Sequence, residues 1–377
     1  MQDDSLVAHY ENTFGSQEGE LYAPLAGFDL AAHNRRMEIL AGIDLPDLTE
    51  ATVMDYGVGS WGFACIFDRL KQCAHPIGVD ISRSAIERSI KVSRNDPLLA
   101  GKTVTYLTSQ GYNIDLPNNS CDVIFCGECI EHVEDTDGFL SEFHRILKPG
   151  GTAIFTTPNA SPYVYRQLGL KWCAGFEHVA LMDYDEFVFW LGKYFEVERV
   201  FGFNQTILPG VDTGIADAVR QKWATSALDD PRNATSLIAK VRKPFNGREW
   251  PKREIATVGL ADMKVFGTSE IVPLVSGIEG LKIEPGSSIE IPVPAGYTHC
   301  NLIMWSHDWS GICEIVSGTS TEIVDLYGHV GGCARVRVST ESGGKVEIRP
   351  TLQKNPMSSS TEAIVYRAVF SRAKLRR

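Results

Sequence analysis

Residues 53–62 constrain the fold more than any other stretch of the chain. An apolar run that reads as a strand leads into Asp55 and then into three glycines with the spacing G-x-G-x-x-G, which begins at Gly57 and Gly59. The apolar spacing of residues 63–70 predicts a helix directly afterwards. A strand, a tight loop and a helix N-terminus in this order let the backbone turn sharply and approach a ligand closely.

A second acidic residue supports a particular kind of ligand. Asp80 ends the next apolar run, residues 77–80, about 20 residues after the glycines, where a carboxylate can accept hydrogen bonds from both hydroxyls of a ribose. Glycine spacing alone is weak evidence. Glycines and carboxylate together predict a cofactor that contains adenosine.

Strands and helices alternate through the following 160 residues or so. We predict helices over residues 30–40, 84–94 (opened by Ser84) and 136–147, and one capped by Asp183. We predict further strands over residues 103–107, 123–126, 152–157, 195–203 and 236–242. This pattern predicts an α/β fold with a doubly wound parallel sheet, whose ligands bind at the carboxyl ends of the strands.

Helical spacing ends near residue 243. Short runs of alternating hydrophobicity follow, separated by Gly, Pro and Ser, and they predict a β-sandwich, jelly-roll-like, of roughly eight strands. We therefore predict four regions. They are an N-terminal helical lid segment (1–50), the α/β domain (51–243), a linker (244–254) and the β-sandwich domain (255–377).

Composition limits the cellular setting. A chain of 377 residues is long enough for two domains. It has no apolar run of membrane-spanning length and no signal peptide at Met1, which predicts a cytoplasmic protein. The nine cysteines are scattered, which favours reduced thiols over a disulfide framework. Cys126 and Cys129 are the one close pair, and packing at a strand end is favoured over zinc or redox use.

Charge disfavours long nucleic acid as a partner. The chain has a formal net charge of −11, and residues 1–250 hold 22 Lys and Arg against 34 Asp and Glu. A protein that neutralises many phosphates needs a basic excess. Neither half of this chain has one.

Six short motifs of the first 243 residues stand in a fixed order. They are Asp55-x-Gly57-x-Gly59, Asp80, Leu116-Pro117 with Ser120-x-Asp122, Glu128-Cys129-Ile130-Glu131-His132-Val133, Leu147-Lys148-Pro149-Gly150-Gly151 and Thr157-Pro158-Asn159. In this order and spacing they resemble the class I S-adenosylmethionine-dependent methyltransferases. The resemblance is closest to the branch of the ubiquinone-biosynthesis O-methyltransferases and more distant to the small-RNA 2′-O-methyltransferases. It does not extend to residues 251–377.

The resemblance implies a set of residues that bind S-adenosylmethionine. Asp55, Gly57 and Gly59 would form the loop under the methionine end. Asp80 would bind the ribose and Ile81 would contact the adenine. Tyr112 and Cys126 would make two further contacts with the cofactor. This cofactor has no phosphates, so an acid at the loop is tolerable where a pyrophosphate would be repelled. A nicotinamide dinucleotide is therefore the weaker interpretation.

Two positions depart from the family pattern. Trp61 stands where the loop usually has a small residue. Tyr112 falls where the family has an acid that meets the adenine amino group, for which backbone groups or Asp115 would have to substitute.

Residues 128–132 contain two glutamates and a histidine, which predict how an acceptor hydroxyl would be activated. Glu128, Glu131 and His132 have the spacing i, i+3 and i+4, which places them on one face if the segment is a helical turn. A hydroxyl acceptor must lose its proton during methylation, to a general base or with help from a metal. The resemblance implies that this E-x-x-E-H pattern binds Mg²⁺, Mn²⁺ or Zn²⁺, with His178 as a further ligand. Without a metal, His132 with Glu131 is the candidate base, and both interpretations stay open.

The C-terminal region carries an aromatic cluster at Trp305, His307, Asp308 and Trp309. Aromatic rings on a sandwich can stack on sugars, although packing in the core is the favoured interpretation. The domain is also a candidate for homodimer formation.

We therefore predict an O-methyltransferase that acts on a hydroxyl of a small molecule or of a glycan sugar. The alternatives are an RNA 2′-O-methyltransferase and a non-catalytic protein that binds a cofactor or glycan.

Overall fold

The computed structural model describes residues 30–59, 62–64, 67–109, 112–133, 135–160, 178, 180–204, 230–245, 255–273, 279–328, 332–341 and 343–371. Contacts divide the chain into two compact units, one formed mainly by residues before 251 and the other mainly by residues 252–377. Most of the predicted lid segment and linker lie outside the described residues. The bounds of the four predicted regions stay predictions.

A seven-stranded sheet forms the centre of the first unit. Its strands are β1 (Thr52–Tyr56), β2 (His75–Asp80), β3 (Thr105–Thr108), β4 (Cys121–Gly127), β5 (Leu147–Pro158), β6 (Glu196–Phe203) and β7 (Ser236–Arg242). They lie in the order β3-β2-β1-β4-β5-β7-β6. The order reverses between β1 and β4, and open α/β sheets bind ligands in the crevice at that point.

The prediction of an all-parallel sheet is wrong at one edge. Strands β1 to β5 pair in parallel, whereas β7 runs antiparallel to both β5 and β6. Antiparallel neighbours need no crossover helix between them. The hydrophobic pattern of a buried strand is the same in either direction, so the pattern does not reveal it.

Helices cover both faces of this sheet. They are α1 (Leu30–Gly42), α2 (Arg83–Arg94), α3 (Thr136–Ile146) and α4 (Tyr184–Tyr194). On one face, side chains of α1 join a buried cluster with Val53 of β1 and Ile154 of β5. On the other face, Phe143 of α3 packs against Tyr56 and Phe155, with ring centroids 5.2 and 5.6 Å apart. The first unit is therefore Rossmann-like.

Two helix starts show how side chains select boundaries. Asp183 caps α4 as predicted, since its carboxylate accepts a hydrogen bond from the backbone of Glu186. The cap of α2 is Ser82, which accepts from the Ala85 N–H, and not the predicted Ser84. No helix in the described part of the chain is long and apolar enough to span a membrane.

The helix predicted over residues 63–70 does not form as an α-helix in its described part. A 3-10 helix, Asp68–Gln72, occurs there instead. Ala64 has a φ of +44°, which is left-handed and incompatible with a right-handed helix. Its N–H donates to the buried carboxylate of Asp55, so Asp55 binds the backbone group that a helix start would leave free.

The second unit consists of antiparallel strands. Its eleven described strands are β8 (Ile255–Val258), β9 (Lys264–Phe266), β10 (Ser269–Pro273), β11 (Glu279–Ile283), β12 (Ser288–Pro292), β13 (His299–Ser306), β14 (Ile312–Ser317), β15 (Ser320–Asp325), β16 (Gly332–Ser339), β17 (Lys345–Pro350) and β18 (Ala363–Ser371). One sheet has the order β10-β11-β18-β13-β16, with β8 also on β18, and the other has the order β15-β14-β17-β12-β9. Side chains of both sheets belong to one buried cluster. A jelly-roll arrangement stays a prediction.

Candidate active site

The glycine loop after β1 lies directly against the segment after β4. Gly57 has a φ of +80° and Gly59 a φ of +54°, which glycine adopts without steric cost. A Cβ atom on Gly57 would lie 2.2 Å from Sγ of Cys129. Only a residue without a side chain fits at this point, and the close approach places residues 128–132 beside the loop.

Asp80 holds the loop from the end of β2. Its Oδ2 accepts a hydrogen bond from the Gly59 N–H at 2.8 Å, and its Oδ1 accepts one from the Ser82 N–H at 2.9 Å. The side chain therefore orders the loop. Its role in binding a ribose stays a prediction.

Asp55 is a buried acid with an altered proton affinity. Burial raises the pKa of its carboxyl group to about 7, and Asp80 adds to the rise, while the Ala64 N–H and Lys71 act in the opposite direction. Desolvation penalises the charged form of a carboxyl group, which explains the sign. This acid titrates near neutral pH.

Asparagine at position 55 is expected to remove part of the pH dependence of stability. A folded pKa above the unfolded value stabilises the fold below about pH 4, and this contribution is lost as the pH rises to about 7. Three pKa units correspond to at most about 4 kcal/mol. Urea unfolding of Asp55→Asn and wild type at pH 4.5 and 8 measures this change. A difference in free energy of unfolding that does not vary with pH would contradict the assignment.

The other predicted cofactor contacts stay predictions. Ile81 is half-buried and directly follows β2, at the correct edge of the sheet, and Cys126 is fully buried in β4. The hydroxyl of Tyr112 accepts a hydrogen bond from the Asp135 N–H at 3.2 Å. Trp61 lies outside the described residues.

The helical turn predicted to align Glu128 with Glu131 and His132 is not formed. Glu128 has a φ of +53°, and a 3-10 helix spans only Ile130–His132. The Glu128 N–H donates to the carbonyl of Thr156 at 3.0 Å and to its Oγ1 at 3.1 Å. A left-handed non-glycine residue needs such contacts to persist, and strain of this kind is frequent at functional sites.

Arg36 of α1 is a residue that our sequence analysis missed. Its Nη2 donates to Oγ1 of Thr156 at 2.8 Å and lies 3.4 Å from Oε1 of Glu128. The carboxylate of Glu128 thus pairs with a guanidinium. The position of Arg36 in the sequence could have revealed it. Residue 36 lies on the same face of the helix as the buried Ile39 and Leu40, where a charged side chain without a partner would destabilise the fold.

Glu131 and His132 form a close pair. Glu131 is 1% exposed, its Oε2 accepts a hydrogen bond from Oγ1 of Thr157 at 3.1 Å, and its Oε1 lies 3.8 Å from Nε2 of His132. Burial raises the pKa of the Glu131 carboxyl group well above its usual value, and the neighbouring Glu128 adds to this. A carboxyl group of raised pKa beside an imidazole is typical of sites that move protons.

Of the four predicted metal ligands, Glu128, Glu131 and His132 belong to the first compact unit and His178 to the second. The metal site therefore stays a prediction. Two imidazoles and a carboxylate are a donor set that transition metals accept.

Sequence comparison identifies related proteins for part of the chain. Residues 54–155 match a family model described as a methyltransferase domain. The ubiquinone biosynthesis O-methyltransferase of Nitrosomonas europaea is 30% identical over 139 residues, which are 36% of this chain and 54% of that protein. The ubiquinone/menaquinone biosynthesis C-methyltransferase UbiE of Desulfotalea psychrophila is 27% identical over 115 residues, 30% of this chain and 44% of that protein.

One solved structure is also similar to part of this chain. The phosphoethanolamine N-methyltransferase 1 of Haemonchus contortus, in complex with phosphoethanolamine and S-adenosylhomocysteine, aligns with a TM-score of 0.46 and 15% identity over 67% of this chain and 52% of that one. The chain spans about half the length of the curated relatives it matches.

Proposed function

Because the chain contains a class I S-adenosylmethionine-dependent methyltransferase domain near the ubiquinone-biosynthesis branch, we propose that it methylates a hydroxyl group on a small molecule or a glycan sugar. One observation carries the proposal. A Cβ atom on Gly57 would meet Sγ of Cys129 at 2.2 Å, so the segment that carries Glu131 and His132 begins next to the glycine loop. This proximity supports a proton acceptor beside a cofactor bound at the loop.

The loop suits S-adenosylmethionine in shape and charge. Asp80 offers acceptor sites for the ribose hydroxyls, and the space at Gly57 admits no side chain. The acids near the loop would repel a pyrophosphate, whereas this cofactor has none. When bound, it supplies an electrophilic methyl group on a sulfonium.

His132 is the proposed general base. It takes the proton from the acceptor hydroxyl as the oxygen forms its bond to the methyl carbon. S-adenosylmethionine, when bound, would supply the methyl group and would keep the electron pair of the carbon–sulfur bond on sulfur. Glu131 stabilises the resulting imidazolium at the distance found here, 3.8 Å.

A metal is the second way to activate the hydroxyl at the same place. The ligands that the resemblance implies, Glu128, Glu131, His132 and His178, would hold it. Two imidazoles beside two carboxylates suit Zn²⁺ or Mn²⁺ better than Mg²⁺, which prefers oxygen ligands. A bound ion would lower the pKa of the acceptor hydroxyl.

The glycan part of the proposal depends on the second unit. Trp309 and His307 have ring centroids 5.1 Å apart, and Trp309 is only half-buried. Trp305 is 9% exposed and packs with Ile364 outside the main cluster, in keeping with a packing role. The partly exposed aromatic ring supports a surface that stacks on a sugar.

Titration calorimetry with S-adenosylhomocysteine tests the proposal first. The wild type is expected to bind it, and Mn²⁺ or Zn²⁺ added separately shows whether a metal site exists. Methyl transfer is then measured with catechol and with methyl glucoside as acceptor probes. Absence of S-adenosylhomocysteine binding under all these conditions would overturn the enzymatic proposal.

Alanine at position 57 is expected to abolish measurable S-adenosylhomocysteine binding, because its Cβ would meet Sγ of Cys129 at 2.2 Å. Gly101→Ala is the matched control. Gly101 has nearly the same φ, +79°, but open space around it, so both variants carry about 1–2 kcal/mol of left-handed strain. Calorimetry should show a loss in Gly57→Ala only. Equal affinities in the two variants would contradict the assigned contact.

A further inference from the structure

We propose that Thr157 is a positioning residue, which holds the Glu131 carboxyl group so that Glu131 in turn orients His132. The inference rests on the proposed function and extends it by one residue. Thr157 belongs to the Thr-Pro-Asn motif of the sequence, to which neither the cofactor loop nor the base gives a role.

The hydroxyl of Thr157 contacts one oxygen of the Glu131 carboxyl group, and His132 lies near the other oxygen. Oγ1 of Thr157 donates to Oε2 of Glu131 at 3.1 Å, while Oε1 of the same group lies 3.8 Å from Nε2 of His132. The three side chains therefore form a row in which each end contacts a different oxygen of Glu131. Without the hydroxyl, the carboxyl group can rotate about its last bond and move Oε1 away from the imidazole.

The backbone that carries Thr157 is fixed on both sides. Around this residue β5 pairs with β4 (Gly127 opposite Thr156) and with β7 (Leu237 opposite Thr157). Asn159 adds two hydrogen bonds from its side-chain amide to the carbonyl groups of residues 232 and 234, at 3.1 and 2.7 Å. The donor thus stands on a rigid element, which is what orientation of a catalytic side chain requires.

Burial makes the hydroxyl hard to replace by solvent. Thr157 and Glu131 are each 1% exposed. Water that could supply a substitute hydrogen bond has little access to this contact. The hydrogen bond to Glu131 therefore depends on the Thr157 hydroxyl, because water cannot easily replace it.

Two substitutions test this role. Thr157→Val keeps the shape and removes the hydroxyl, and Thr157→Ser restores it. Thr152→Val is the control, because Thr152 is also a buried threonine of β5 and has no place in the row. Thr157→Ala serves if the valine variant does not fold.

Three measurements are made on the full chain. Calorimetry should give S-adenosylhomocysteine affinities within twofold of wild type for all variants. In the crystal structure of Thr157→Val, the Glu131 carboxyl group should have turned so that neither oxygen lies within 4.5 Å of Nε2 of His132. With the active acceptor probe, kcat should fall at least tenfold in Thr157→Val at an unchanged KM, and Thr157→Ser should recover to within threefold.

The outcomes separate the inference from the proposed function. An unmoved carboxyl group in Thr157→Val, or an equal loss of kcat in the serine variant, would overturn the positioning role even if the wild type is an active methyltransferase. A wild type that binds no S-adenosylhomocysteine would overturn the proposed function. The crystal structure would still decide whether Thr157 orients Glu131.

Discussion

Alanine at position 80 is expected to weaken S-adenosylhomocysteine binding by about 100-fold or more. The carboxylate accepts hydrogen bonds from the N–H groups of Gly59 and Ser82 and would also accept those of the ribose. Hydrogen bonds to a charged group contribute about 1.5–3 kcal/mol each, and a factor of 100 corresponds to about 2.8 kcal/mol. Titration calorimetry measures the change.

Asp122→Ala provides the control. Asp122 also accepts a backbone hydrogen bond, from Thr52 at 2.9 Å, and pairs with Lys148, but it lies at the amino ends of β1 and β4. Its loss is expected to reduce stability and to leave the affinity unchanged. If both variants bind equally well, the role of Asp80 in the loop is wrong.

Glutamine at position 131 is expected to lower kcat by about 100-fold to 10,000-fold, the range that general acid–base groups contribute. Glutamine keeps the volume and can still accept the hydrogen bond of Thr157, but it cannot stabilise an imidazolium at His132. The affinity for S-adenosylhomocysteine should not change. Turnover is followed as S-adenosylhomocysteine release with the acceptor probe that is active in the wild type.

Stability separates this effect from misfolding. Burial raises the pKa of the Glu131 carboxyl group, so its charged form is costly in the fold. Glu131→Gln should therefore unfold at the same or a higher urea concentration at pH 8. Glu142→Gln removes another buried carboxylate, one that pairs with Arg145 on α3, and should retain turnover. Full activity in Glu131→Gln would refute the proposed role of Glu131 in stabilising the imidazolium of His132.

The geometry of the glycine loop could be predicted because its determinants are local. Gly57, Gly59 and Asp80 lie between the end of β1 and the end of β2, where spacing decides which residues reach the same edge of the sheet. The structure places Asp80 on the loop through the N–H of Gly59. No partner from a distant part of the sequence is needed for this contact.

The arrangement around Glu128 could not be predicted because it depends on distant residues. A helical interpretation of residues 128–132 follows from the spacing, but contacts from Thr156 and Arg36 accompany a left-handed turn at Glu128. Thr156 and Arg36 are 120 positions apart in the sequence. The helix predicted after β1 fails for a related reason, since Asp55 binds the N–H of Ala64.

The contact between residues 57 and 129 also limits how this protein can change over evolutionary time. A side chain at one position requires a smaller one at the other, because their atoms would otherwise occupy the same space. Acceptance of alanine at position 57 would thus require the Sγ at position 129 to be absent first, for example through alanine, since the Cβ of residue 129 lies 3.7 Å from the new Cβ. Among descendants of this chain we expect these two positions to change in that order, and large residues never to occupy both.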